Sequence, residues 1–468
     1  MTGKHLANRL HRAGRVVAAA MCALLAACGP SSESGESKSA GKGLKIAIAY
    51  FAPDPAAELC TSGLLDGLAK AGFIKGRNLE VQTAHAGGEI ANIPPMLQNF
   101  DNGDADLIVT FTTPCLTAAC STVKNKPVVF TYVFDPIAAG AGTSRTDHLP
   151  FITGVGSFPP VAKTIDLLQA LVPGVKSVGT LYNSSEANSR KVIAVAREMF
   201  KERGIGLEEV VITNSSEVFQ GAQAMTSRNV QAVWITGDNT ALLGFDGIVK
   251  AAADAKLPLI NNDPEFVERG ALAAAGLGWY DSGFSAGGVA GRVLLGESPK
   301  NIPFEEVAVE KFVINFDSAK KLGIAIPEKV LADAQVFLNL HAKYGRPAKI
   351  ALLAANDDAA AAKRREGLVK GLADAGVVLD TNAVIAASNA GGDAAKLAAA
   401  VSEALKGSPD VIVAADPQAQ EAAASASGGK PVIPIGAAPA GSAGDEGEFE
   451  AGRAAALGVA RALAGAPR

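Results

Sequence analysis

The sequence predicts an α/β chain: two doubly wound parallel-sheet lobes, followed by a C-terminal α/β module that duplicates the first lobe. Three observations predict this. Strand-like apolar runs alternate with helix-length amphipathic stretches along nearly all of the chain from residue 44, which is the pattern of βαβ units around a parallel sheet. The same layout restarts at residue 177. A third stretch, from Lys349 onward, repeats the stretch from Lys45 in a single register. Composition agrees, being rich in Ala, Gly, Val and Leu with only 5% aromatics, and some 425 residues fit two or three domains of about 150 residues each.

Residues before 44 read as a leader and a tether. Lys4, Arg9, Arg12 and Arg15 precede an apolar run, Val16 to Ala27, that ends in Leu25-Ala26-Ala27-Cys28. A basic start, a short apolar core and small residues at the cut make a secretory signal, 1–27. The run is about 12 residues, short of the roughly 20 that span a bilayer. The cut site resembles the bacterial lipobox, so Cys28 is expected to carry lipid and anchor the chain at the cell envelope, facing the periplasm or the exterior. Ser31 to Gly43, polar and small, is expected to be a flexible linker within 28–43.

The first lobe takes its strands from 45–50, 80–84, 106–111 and 128–133, with helices at 57–72, near 90–102 and at 114–124. The second takes strands from 177–182, 208–213, 232–236, 258–262 and 271–277, with helices at 187–203, 216–228 and 241–255. Crossovers are expected at Ile152–Phe158 and Gly276–Ser282, with a further strand passing back near 300–315. Lobe one is then 44–152 plus about 282–305, and lobe two is 153–281 plus about 306–337. The module, 346–468, begins with a stretch that keeps an offset of 304 from lobe one without a gap for more than 80 residues. Gly63-Leu64 recurs as Gly367-Leu368, Ala86-Gly87-Gly88 as Ala390-Gly391-Gly392, and Lys126-Pro127-Val128 as Lys430-Pro431-Val432.

Enzyme motifs are missing. The sequence holds no phosphate-binding G-x-x-x-x-G-K-[ST], no G-x-S-x-G elbow, no G-x-G-x-x-G after a strand and no H-E-x-x-H. Beyond the leader, His85, His148 and His341 are scattered, so neither a metal nor another cofactor is expected. Formal charge is −4, about −8 without the basic leader residues, which excludes a basic nucleic-acid surface. Cys60, Cys115 and Cys120 are expected to be buried free thiols.

Open α/β sheets bind ligands beyond the carboxyl ends of their strands, where strand order reverses. With each lobe ordered 2-1-3-4, the lobe-one loops there carry Tyr50, Phe51, Thr112 and Thr113, with Asp135 after the fourth strand. The lobe-two loops carry Asn183, Ser184, Ser185 and Asn188, then Asp238 and Asn239, with Asp263 after the fourth strand. Hydroxyls and helix N-termini suit a carboxylate. Asp135, Asp238 and Asp263 suit an ammonium, and Tyr50, Phe51, Phe134 and Tyr182 offer an aromatic sandwich. The same residue types also serve as helix caps.

Tyr182-Asn183-Ser184-Ser185-Glu186-Ala187-Asn188-Ser189, Gly237-Asp238-Asn239-Thr240, Gly270-Ala271-Leu272-Ala273, Leu294-Leu295-Gly296-Glu297 with Pro299, Pro127-Val128-Val129-Phe130 and Asp135-Pro136 follow one family's order and spacing. Over about 44–337 the chain resembles the ABC-transporter substrate-binding lipoproteins of the tryptophan/tyrosine-uptake type. The resemblance implies a type I periplasmic binding fold that closes on a small solute, an amino acid and possibly an aromatic one. It also implies an ABC permease as partner and a monomer. A ligand-sensing receptor partner of a membrane signalling protein is the alternative. Cys115 beside the site and the module after Lys349 depart from the family plan.

Overall fold

Continuous apolar runs form the central strands because a parallel strand is buried on both faces. The computed structural model describes residues 43–437 except 308, together with 442 and 444–465. Cys28 and the linker before Gly43 lie outside these residues. In chain order the strands are β1 (Leu44–Tyr50), β2 (Leu79–His85), β3 (Leu107–Phe111), β4 (Val128–Val133) and β5 (Ile152–Gly156), then β6 (Ser177–Asn183), β7 (Gly206–Ile212), β8 (Ala232–Ile235), β9 (Leu259–Asn261) and β10 (Ala273–Leu277). They continue with β11 (Glu305–Glu306), β12 (Glu310–Asn315) and β13 (Val336–Leu338), and end with β14 (Ala348–Ala354), β15 (Ala383–Asn389), β16 (Val411–Ala414) and β17 (Val432–Pro434).

They form three sheets, ordered β11-β5-β4-β3-β1-β2, β13-β12-β10-β9-β8-β6-β7 and β15-β14-β16-β17. Each therefore contains the expected 2-1-3-4 core. Pairing is parallel throughout except between β10 and β12. β3 and β4 are wholly buried, whereas the edge strands β2 and β15 share one and the same pattern of partial exposure.

Lobe one is finished by chain that returns from lobe two. The helix Trp279–Leu294 packs on the helix Pro55–Lys70, and β11 pairs with β5. Glycines let the two helix backbones touch: a Cβ on Gly63 would sit 2.0 Å from the Tyr280 carbonyl oxygen, and one on Gly283 1.9 Å from that of Cys60.

The module repeats lobe one down to single hydrogen bonds. β14, β15 and the helices Ala359–Asp374 and Pro417–Ala426 lie 304 residues beyond β1, β2, Pro55–Lys70 and Thr113–Thr122. Leu44 pairs with Leu79, and Ala348 with Ala383. The Lys45 and Lys349 amides donate to Asp106 and Asp410 at 2.7 Å in both copies. The last helix, Gly444–Ala464, takes the place of Trp279–Leu294, for a Cβ on Gly452 would sit 1.9 Å from the Arg364 carbonyl oxygen. The module thus includes a counterpart of the helix that lobe one receives from beyond lobe two, with no lobe two between.

The module is fixed to the rest of the chain by backbone and side-chain bonds. The Phe337 amide donates to the Ala375 carbonyl at 2.9 Å. Lys343 Nζ donates to the last helix's Leu463 and Ala464 carbonyls at 3.0 and 2.7 Å, where a cation also favours the helix C-terminus. One expected element differs. The helix over 241–255 is broken into Asn239–Leu243 and Phe245–Asp254 at Gly244, which lies against the Val218 side chain. Cys60, Cys115 and Cys120 are free, and burial pushes the Cys60 and Cys115 thiols up to about 12. Among the described residues no helix is long and apolar enough to cross a membrane.

Candidate functional site

Lobes one and two meet along the carboxyl ends of their strands. Phe134, after β4, lies against Gly237 of lobe two, where an added Cβ would be 2.4 Å from its ring. Lys191 reaches across to Asp135 at 3.5 Å. Between the lobes remains a cavity of about 120 Å³, lined by Phe51, Asp54 and Tyr132 from lobe one and by Leu242, Phe266 and Arg269 from lobe two, among others.

Backbone strain collects on the lobe-one wall. Thr112, between β3 and the helix Thr113–Thr122, has φ 75° and ψ 152°, and Tyr132 has φ 58°. A β-branched residue at such a φ costs on the order of 1–3 kcal/mol, and strain of this kind gathers at binding sites. The Thr112 side chain is buried, with its hydroxyl beside the Cys115 thiol. Thr113 is buried within the first turn of that helix. Tyr132 packs at a tilt against Trp279, ring centroids 4.2 Å apart. Asp54 caps the helix Pro55–Lys70, accepting from the Ala57 amide at 2.8 Å, and burial raises its carboxyl to about 6.

On the lobe-two wall most predicted residues bind one another. Asp238 accepts from the Asn183 amide at 2.7 Å, the Ser189 hydroxyl at 2.6 Å and the Ala241 amide at 2.7 Å. Burial, and then the neighbouring Glu186 charge, push its carboxyl up to about 7. Asn183 also donates to Thr240 and accepts from Ser185. Ser184 offers its carbonyl to Arg190, and Asn188 donates to the Gly237 carbonyl at 3.1 Å. Glu186, which the sequence reading did not single out, gathers Asn239 and Thr240 through their amides and side chains.

The three aspartates separate on this geometry. Asp238 fills both oxygens within the protein. Asp135 accepts from the Ile137 and Ala138 amides with one oxygen and meets Lys191 with the other. Asp263 accepts from the Trp279 indole N–H at 3.0 Å, while its second oxygen is buried with no partner. Burial, with the charges of Glu265 and Asp54 nearby, holds the Asp263 carboxyl well above the usual range. Phe51 lines the cavity, whereas the Tyr50 ring packs at a tilt against His85, centroids 5.4 Å apart, and the Tyr182 hydroxyl donates to Glu209 at 2.9 Å; both tyrosines turn toward the outer strands β2 and β7. Tyr132, Phe266 and Arg269 line the cavity and Trp279 packs on Tyr132, none of them singled out from the sequence. The available signal was aromatic: Trp279 lies within the second crossover in a chain with two tryptophans.

Residues 45–337 match the family described as ABC transporter substrate binding protein. The chain is 28% identical over 305 residues to a tyrosine-binding protein of Clostridioides difficile, covering 65% of this chain and 87% of that one. A conserved domain protein of Vibrio cholerae has a solved structure with 31% identity and TM-score 0.61, covering 63% of this chain and all of that one. An ABC domain from Streptococcus pneumonia, solved in complex with L-Trp, shows 30% identity, TM-score 0.61 and the same coverage. With the family match spanning well over half its length, and with type I lobes in the fold, this chain belongs to the ABC transporter substrate-binding proteins.

Proposed function

We propose that the protein is lipidated at Cys28, faces the periplasm or the cell exterior, and captures an aromatic amino acid between its lobes for delivery to an ABC permease. The observation that carries the solute class is one unpartnered carboxylate oxygen, on Asp263, which lies with the Phe134 ring against Gly237 where the lobes meet. An α-ammonium supplies the donor that this oxygen lacks. Phe51, Tyr132, Trp279 and Phe266 supply faces for an aromatic side chain, and Thr112 and Arg269 supply a hydroxyl and a guanidinium for the carboxylate. The names of two relatives, a tyrosine-binding protein and an L-Trp complex, support the same class. A cavity of about 120 Å³ suits lobes drawn together, so the solute enters when they part and is held by a hinge motion. In this reading lobe one is 44–152 with about 282–305, lobe two is 153–281 with about 306–337, and the protein acts as a monomer without a cofactor.

Calorimetric titration with L-tryptophan, L-tyrosine and L-leucine tests the solute class. An aromatic amino acid should bind with a dissociation constant in the roughly micromolar range or below, and leucine at least about tenfold more weakly. Heat from none of the aromatic amino acids would overturn the reading. The anchor has its own test: Cys28→Ser should release the protein from membranes or stall its processing. Unchanged fractionation together with unchanged mass would count against lipidation.

A further inference from the structure

A second crevice, of about 330 Å³, lies where the module meets the hinge. Its walls come from the crossovers of both lobes, at Gly278 and Val309 to Lys311, and from the module, at Asp374, Ala375, Arg453 and Leu457. The two-lobe relatives of known structure are matched over their whole length by about 63% of this chain, so this crevice exists through the added module.

Glu265 lines the crevice. Its side chain is only 7% exposed. One carboxylate oxygen meets Lys311 Nζ at 3.2 Å, and the other is buried with no hydrogen-bond partner. A buried carboxylate oxygen left unpaired is costly, and the surrounding groups do not cancel it. Asp374 is held by Arg453 at 3.2 Å and by Lys370, while Glu310 is held by Lys163. Leu59, Trp279 and Leu457 add apolar surface to the same crevice.

We infer that this crevice is a second small-molecule site, taking a primary ammonium group on a short apolar stem, with the ammonium donating to the free oxygen of Glu265. The stem lies against Trp279 and Leu457, and the volume admits a molecule of about amino-acid size. Burial raises the Glu265 carboxyl and Lys311 draws it back down; an arriving ammonium acts in the same direction as Lys311. The site is distinct from the interlobe cleft, though the two share a wall, since the Trp279 ring that borders the crevice packs at a tilt against Tyr132 of the cleft.

The probe is n-butylammonium, with n-butanol as its uncharged counterpart, titrated into the full chain by calorimetry. A molecule this small is expected to saturate in the roughly millimolar range, and butanol is not expected to bind. Glu265→Gln should weaken the amine at least about tenfold. Leu457→Trp, which fills the crevice from the module's side, should abolish binding. Phe51→Ala, which removes an uncharged side chain from the interlobe cavity, should change it less than about threefold, so failure of this site and failure of the solute reading are separable. Thermal melting confirms that each variant is folded. No saturation below about 10 mM, equal binding of butanol, or full affinity in either crevice variant overturns the inference.

Discussion

Gly283→Val should destroy solute binding, whereas Gly452→Val, the same change at the matching helix contact of the module, should leave it intact. At both positions an added Cβ would lie 1.9 Å from a backbone carbonyl oxygen of the facing helix. Backbone atoms cannot rotate away as a side chain does, so the helices must separate along their whole glycine seam. Overpacking of this kind costs on the order of 3 kcal/mol or more, a large share of a domain's stability. Gly283 sits in the seam that joins Trp279–Leu294 to lobe one, and Trp279 leads from that helix into the hinge and toward Asp263. Gly452 sits in the seam that closes the module. Scanning calorimetry and an L-tryptophan titration on the two variants check this. Loss of tryptophan affinity in Gly452→Val would show that the module supports the cleft directly, and full affinity in Gly283→Val would show that the seam is not needed.

Those two seams mark the boundary of what the sequence discloses. The strands were legible because parallel strands are apolar on both faces, and the duplicate was legible because one offset persists through β14, β15 and Pro417–Ala426. Gly444–Ala464 was not recognised as a copy of Trp279–Leu294, because with lobe two absent it follows at a different offset and shares little beyond small residues at the contact. The break at Gly244 is set by Val218, a tertiary neighbour that local periodicity does not register. In the site, the loops after the strands do lie at the carboxyl ends of the sheets, but residue type alone could not divide caps from polar groups left without a partner. Asp135, Asp238 and Asp263 look alike in sequence. Only the count of amides and hydroxyls around each oxygen separates them. Tyr50 shows a similar ambiguity: a tyrosine at a strand end can face the cleft or the outer strand, and here its ring packs at a tilt against His85.

Asp263→Asn should then be the most damaging conservative change in the cleft. The amide keeps an oxygen for the Trp279 indole but replaces the free carboxylate oxygen with a donor, which repels an ammonium. Removing one partner of a buried charge pair costs about 2–5 kcal/mol, or roughly thirtyfold to several-thousandfold in affinity. Asp238→Asn acts differently. Its oxygens are committed to Asn183, Ser189 and Ala241, so it should lower the stability of lobe two and alter solute affinity far less. The pH dependence follows from the sign of the Asp263 shift. Burial and the charges of Glu265 and Asp54 raise its carboxyl, opposed only by the Trp279 hydrogen bond, so without solute it holds a proton above the ordinary carboxyl range of about 4. An ammonium favours the ionised form, so binding releases that proton, and affinity should rise with pH above that range. Asp263→Asn should flatten the rise. Titrations in buffers of different ionisation enthalpy count the proton directly. Affinity within about threefold of the wild type in Asp263→Asn, or the same pH slope in both proteins, would remove Asp263 from the site.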